Sequence, residues 1–298
     1  MLSVRFWGVR GSIPCPGPDT VIFGGNTSCI EIRADERLII VDLGTGIRPL
    51  GSWLKENDLK KHGKISADIF VSHSHWDHIM GFPSFSPIYI PNTTLRIHGP
   101  VSSGEDCLEN IIRTQLSYRY WPVRLDELSA NIEFRQIGET TLDLGGGLTV
   151  TSKYMNHPIL CLGYRFNYKG KSIAAVFDHE PFNNFFHTDP SKAPCDENEI
   201  GIAAARENEK IIRFMENVDI LIHDAQYSEA EYADKVGWGH GSCKDAIDCA
   251  VGANAKKLVF FHYDPIHTDK HLQQVFKTYS KKAPVKIFMA KEGMTLQA

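Results

Sequence analysis

The stretch Ser72-His73-Ser74-His75-Trp76-Asp77-His78 places four potential metal ligands within six residues. Three imidazoles and a carboxylate crowded together leave unfavourable donors and like charges unless a cation organises them. Their spacing has a geometry. His73 and His75 are two apart in extended chain, so both project to the same side. Asp77 and His78 fall where the backbone turns into a helix at Ile79-Met80-Gly81, so they face a second point nearby. Two foci suit two metal ions better than one. Four ligands are too few for two ions, so others are expected at further strand ends. His157, Asp178 and His262 each follow an expected strand, the last two directly after the apolar runs 174–177 and 258–261. Strand carboxyl ends gathered at one sheet edge are where α/β-type folds place their chemistry. Imidazole and carboxylate donors without thiolate suit Zn²⁺ or Mn²⁺, with Fe²⁺ also admissible.

The elements that must position these residues follow from patterning. Strands are expected over 2–7, 29–33, 37–41 and 68–72, with a helix from 47 to about 57. Gly/Pro-rich turns at 8–18 and 24–28 separate the first of them. Further strands are expected over 95–98, 132–136, 148–155, 162–167 and 172–177, with a helix at 106–116. The aromatic loop 118–122 reads as a surface-packed patch, and 182–199 as either a lid or a long surface loop. The last hundred residues alternate, with helices at 200–215, 242–251 and 272–279 and strands at 218–223, 257–262 and 285–289. Each half runs strands first and then strand–helix alternation. Two mixed sheets face to face, helices outside, accommodate that order. No linker interrupts the composition, so residues 1–298 are expected to form one domain.

Composition bounds the function. Hydrophobic residues at 42% and charged residues at 23% are ordinary for a globular chain long enough to bury a core. A net charge of −4 gives no basic surface for tight non-specific nucleic-acid binding, so a long nucleic acid is not an expected partner. Seven cysteines without a C-x-x-C pair suggest free thiols in a reducing compartment. With no charged leader and no membrane-length apolar run, a cytoplasmic setting without membrane attachment is expected, and a homodimer is allowed for.

The signature H-x-H-x-D-H at His73, His75, Asp77 and His78, with the three later residues, resembles the metallo-β-lactamase-fold hydrolases. That resemblance covers nearly the whole chain and implies an αββα sandwich. It further implies that His73, His75 and His157 would hold one metal and Asp77, His78 and His262 the other, with Asp178 bridging. The stretch Asn156-His157-Pro158 followed by Gly163-Tyr164-Arg165 is similar to the third-histidine region of ribonuclease Z and related phosphodiesterases. In that branch an acidic residue after a strand pairs with a histidine in a His-Ser-Thr element. Asp224 and His240 fall on those positions, with Asp in place of Glu and His240-Gly241-Ser242 in place of His-Ser-Thr. The Gly/Pro-rich arm with which ribonuclease Z grips transfer RNA has no counterpart, which favours a small or cyclic phosphodiester. The opening Phe6-Trp7-Gly8-Val9-Arg10-Gly11-Ser12 and Asp178-His179-Glu180-Pro181 resemble a stand-alone bacterial phosphodiesterase-like group.

The expected chemistry is attack by a hydroxide shared between two divalent cations and oriented by Asp178, with Asp77 a ligand at the reacting centre. His240, positioned by Asp224, would protonate the leaving alkoxide, while Ser242 caps the next helix. Asp42, in Asp42-Leu43-Gly44-Thr45-Gly46, reads equally as a support for a ligand and as a turn former. His179 and Glu180, next to the bridging position, point elsewhere if the strand alternation holds. A thioester or lactone hydrolase is the rival reading, although the Thr-Pro-Gly-His-Thr type of stretch is replaced by Asn156-His157-Pro158. β-Lactamases resemble a site with Cys where Asp178 stands. From a different class, the fold also hosts iron redox proteins, whose Glu stands where His75 is found, and ligand sensors.

Overall fold

The structure, a computed structural model, describes residues 1–102, 104–183 and 197–298. In the first half run β1 (Leu2–Gly8), β2 (Cys29–Ala34), β3 (Arg37–Val41), α1 (Ile47–Leu54), β4 (Ile65–Phe70), α2 (Trp76–Ile79), β5 (Thr93–Pro100), α3 (Leu108–Gln115) and β6 (Asn131–Ile137). The second half has β7 (Thr140–Gly145), β8 (Leu148–Tyr154), β9 (Leu162–Tyr168), β10 (Lys171–Val176), α4 (Glu197–Phe214), β11 (Ile220–Asp224) and α5 (Glu229–Tyr232). It closes with α6 (Cys243–Gly252), β12 (Lys257–Phe261), α7 (Asp269–Ser280), β13 (Lys286–Met289) and β14 (Thr295–Gln297).

These strands make two seven-stranded mixed sheets, ordered β14-β1-β2-β3-β4-β5-β6 and β13-β12-β11-β10-β9-β8-β7. In each, antiparallel hairpins give way to parallel strands: β3, β4, β5 and β6 in the first, and β10 to β13 in the second. Alternation builds the layers. Ile39 and Val41 of β3 face the core shared by the two sheets, while Leu38 and Ile40 face the core under α1 with Ile47, Leu50 and Leu54. On the far side, Ile211 and Phe214 of α4, Ala246 and Ala250 of α6 and Leu272 of α7 cover the second sheet. This is the expected sandwich of two mixed sheets with helices outside.

Most expected elements form with ends shifted by a residue or two. Larger differences occur at five elements. β4 runs over Ile65–Phe70 rather than 68–72, because Ser72 is already drawn off to Asp42. α2 begins at Trp76, since His75 is its extended N-cap residue. α1 extends through a wider turn at Lys55–Leu59 into Lys60–His62 and stops at the left-handed Gly63. β7 and the edge strand β14 were not expected. The segment read as a lid or surface loop lies largely outside the described residues. Among the described residues no helix is long and apolar enough to cross a membrane.

Candidate functional site

The parallel strands of both sheets deliver their carboxyl ends to one edge. Three residues there leave their strands in the left-handed backbone region: Asp42 after β3 (φ 64°), Asp178 after β10 (φ 45°) and His262 after β12 (φ 65°). A non-glycine residue held there costs of order 1–3 kcal/mol and persists only where its surroundings determine it. In each case the sharp turn sends the side chain back across the strand end. All three are buried.

The structure brings all seven expected ligands together. His73, His75, His157 and Asp178 each offer an atom within 4.8 Å of the others, and so do Asp77, His78, Asp178 and His262. Asp178 joins the groups: its Oδ2 lies 3.3 Å from Nε2 of both His73 and His78 and 3.7 Å from His157 Nε2, and its Oδ1 lies 3.2 Å from His262 Nε2. Asp77 Oδ2 lies 3.1 Å from His78 Nε2 and 3.0 Å from His262 Nε2. His75, half-buried, reaches His157 Nε2 at 3.1 Å through its Nδ1.

The outer partners of the histidines show what the inner atoms are for. His78 Nδ1 is 2.6 Å from Asp42 Oδ2, His262 Nδ1 is 3.1 Å from Gln226 Oε1, and His157 Nδ1 is 2.9 Å from the Gly239 carbonyl. Each acceptor is an oxygen, so Nδ1–H donates and Nε2 turns a lone pair inward. His78 and His262 then point lone pairs at each other across 3.2 Å. His73 Nε2 and Asp178 Oδ1 are buried without a hydrogen-bond partner. Converging lone pairs and orphaned acceptors are unfavourable by themselves and are what divalent cations satisfy. The residues present fit two such ions.

Without ions, burial opposes charge on the His78 imidazole, yet the carboxylates of Asp178, Asp77 and Asp42 outweigh it and push that imidazole well up. Burial pulls the His157 imidazole down to about 4, only partly opposed by Asp178 and the Gly239 carbonyl, so it stays neutral and able to ligate. Burial works against the charge on Asp77, yet His78 and His262 hold its carboxyl well below the usual range. The imidazoles around Asp178 outweigh burial in the same way.

Asp42 is a support and not merely a turn. Besides His78 it accepts from the Ser72 amide (2.7 Å) and the Ser28 hydroxyl (2.9 Å), fixing the start of the histidine segment. Replacing it with Asn would remove the charge that holds the His78 tautomer. The expected loss is about 10- to 100-fold in metal affinity or turnover, with the fold retained by circular dichroism. Wild-type metal affinity in Asp42→Asn would refute the role.

The second group lies against the first. Asp224 ends β11 and its Oδ2 is 2.8 Å from His240 Nδ1. The His240 ring stacks on His262 at 5.1 Å and meets His157 edge-on at 5.3 Å. Burial opposes charge on His240, but Asp224, Asp178 and Asp77 prevail and push it up to about 9. Ser242 is the N-cap of α6, bonding the Asp245 amide, which leaves His240 free of capping.

Sequence reasoning missed Glu180. It is buried, and its carboxylate accepts the backbone N–H of Gly237 and Gly239, both at 2.8 Å, and the Tyr232 hydroxyl at 2.7 Å. It therefore holds the loop that carries His240, and through the Gly239 carbonyl it holds His157. Gly239 must be glycine: its φ is +86°, and a Cβ there would lie 2.4 Å from His157 Nδ1. The N-terminal turn also contributes. Ser12 donates its amide to Asp77 Oδ2 at 2.7 Å, and Gly11 lies so near His262 that a Cβ would overlap its ring.

The family model described as the metallo-beta-lactamase superfamily matches residues 22–167. The chain has the metallo-β-lactamase fold and is similar to that superfamily over just under half of its length. Ribonuclease BN of Cronobacter sakazakii is 27% identical over 241 residues, covering 72% of this chain and 75% of that protein. Ribonuclease Z of Streptococcus agalactiae is 26% identical over 258 residues, covering 74% and 76%. Among solved structures, the metallo-β-lactamase fold protein YhfI of Bacillus subtilis superposes with a TM-score of 0.67 at 18% identity, covering 100% of this chain and 99% of that one. A diphosphatase from the PhnP family superposes at 0.62 and 15% identity, covering 100% and 98%. These two likenesses are of fold.

Proposed function

We propose that this metallo-β-lactamase-fold hydrolase is a binuclear phosphodiesterase acting on a small or cyclic phosphodiester, with His240 as proton donor. One observation carries the reading: an imidazole held by a buried carboxylate stands against the wall of the seven-residue cluster. A thiolate leaving a thioester makes less demand for such a donor than an alkoxide leaving phosphorus.

His73, His75 and His157 would hold one divalent ion, Asp77, His78 and His262 the other, and Asp178 both, with Zn²⁺ or Mn²⁺ best suited to these donors. Such ions, when bound, acidify water and offset charge on a phosphoryl oxygen. The protein's own part is positional. Asp42, Gln226 and the Gly239 carbonyl hold three imidazoles in one tautomer each. His240 spends its Nδ1 proton on Asp224 and keeps the Nε2 proton for the leaving oxygen. Beside His73 and Ser74 opens a cavity of about 320 Å³, walled by Pro100, Leu108, Ile111, Ile159 and Leu160, wide enough for an apolar substituent of a small diester.

The names of the relatives weigh against leaving RNA aside, since both are ribonucleases. A comparison of substrates decides among these readings. With added Mn²⁺ or Zn²⁺, bis(p-nitrophenyl) phosphate is expected to turn over and a thioester and a lactone to remain intact. Turnover of the thioester alone would end the phosphodiesterase reading, and a strong preference for a structured RNA over small diesters would replace the small substrate.

A further inference from the structure

Away from the seven-residue cluster, Glu231, His267 and His271 each present one ligand atom within 4.8 Å of the others. We propose that these three residues form a further divalent-cation site, suited to Zn²⁺, that ties α5 to α7.

Its donors are two imidazoles and one carboxylate, a set that leaves one tetrahedral position to water. The carboxylate is already oriented. Glu231 Oε2 accepts from both the amide and the hydroxyl of Ser228 at 2.7 Å, which leaves Oε1 pointed at His267 Nε2, 2.8 Å away. Donors bound about 2.0–2.1 Å from one tetrahedral ion stand roughly 3.3 Å apart, so this pair needs to open only slightly. The His267 and His271 rings lie nearly parallel, with centroids 4.0 Å apart, so the part-buried His271 ring turns to bring its Nε2 onto an ion shared with His267. His271 Nε2 is buried and has no hydrogen-bond partner. A Glu–His hydrogen bond alone accounts for His267 but leaves that nitrogen unexplained; a shared cation accounts for all three side chains.

The backbone around the donors is anchored independently of any ion. The His267 carbonyl accepts from the buried Arg10 guanidinium at 2.6 Å. Asp269, at the start of α7, accepts the amides of Ile22 and Phe23 at 2.8 and 3.2 Å. Glu231 stands at the head of the loop that runs on to Gly239 and His240. An ion here would fix the near end of that loop to α7, as Glu180 and Asp224 fix its far end.

Metal content measured by plasma mass spectrometry, after loading with Zn²⁺ and exhaustive dialysis, tests the site without reference to turnover. His271→Ala is the informative variant, because His271 is only part-buried on a helix and alanine favours that conformation. It is expected to hold one equivalent of Zn²⁺ fewer than wild type. A second protein, His73→Ala/His262→Ala, is expected to keep one equivalent and to melt at higher temperature with Zn²⁺ than without. Adding His271→Ala to it is expected to abolish both effects. Equal zinc in wild type and His271→Ala would overturn the proposal. A total of two in wild type falling to one in His271→Ala would instead sink the binuclear reading and keep this site.

Discussion

Replacing Asp178 with Asn is expected to empty the metal centre and remove turnover. The side chain is buried, and its two oxygens face four imidazole nitrogens at 3.2 to 3.7 Å. Asn keeps the shape but replaces one acceptor with an N–H donor aimed at the same place, and removes the charge. Losing a residue that supports a ligand costs about 10- to 100-fold in affinity or rate, and losing the carboxylate that both proposed ions would share should exceed that. Bound metal per chain and kcat/KM on bis(p-nitrophenyl) phosphate measure it together, with circular dichroism to establish folding. A folded Asp178→Asn protein that retained both ions and wild-type kcat/KM would show that the two ions do not share this residue.

His240→Ala should behave differently: metals kept, turnover lost according to the leaving group. General acid catalysis is worth roughly 10²- to 10⁴-fold when the departing oxygen needs a proton. A nitrophenolate departs without one. The variant is therefore expected to hydrolyse bis(p-nitrophenyl) phosphate at nearly the wild-type rate and an alkyl phosphodiester at that much less. Equal losses on both substrates would mean that His240 supports the site's structure, by its stacking on His262 at 5.1 Å, and donates no proton. Asp224→Asn is expected to share the leaving-group dependence with a smaller loss, because the imidazole remains but loses its charged partner.

The ligand residues were legible because their signals are local. His73, His75, Asp77 and His78 crowd into one segment, and His157, Asp178 and His262 each follow a segment patterned as a strand. Glu180 had no such signal. Its partners are backbone amides of residues 237 and 239 and a tyrosine hydroxyl, which a sequence does not display. Glu231, His267 and His271 come from two helices and the turn before one of them, so only the packing of α5 against α7 makes them neighbours. For the fold, the two-sheet order could be read from strand–helix alternation, while the edges could not. β14 is three residues long, and β7, though it alternates Leu142 and Leu144 with polar residues, is pressed between Gly138 and the glycine run 145–147. The left-handed turns at Asp42, Asp178 and His262 were also hidden, because none of them is a glycine.

The shared hinge at Gly239 has a consequence for how this enzyme could change. Its carbonyl holds His157, its amide is held by Glu180, and the next residue is His240. Cage and acid are thus in mechanical register: a substitution that shifts one shifts the other. Divergence toward new substrates is therefore steered away from this loop and toward the cavity wall formed by Leu108, Ile111, Ile159 and Leu160. A library randomised at those four positions should yield altered substrate preference with intact chemistry, whereas one randomised across 237–241 should yield mostly inactive protein.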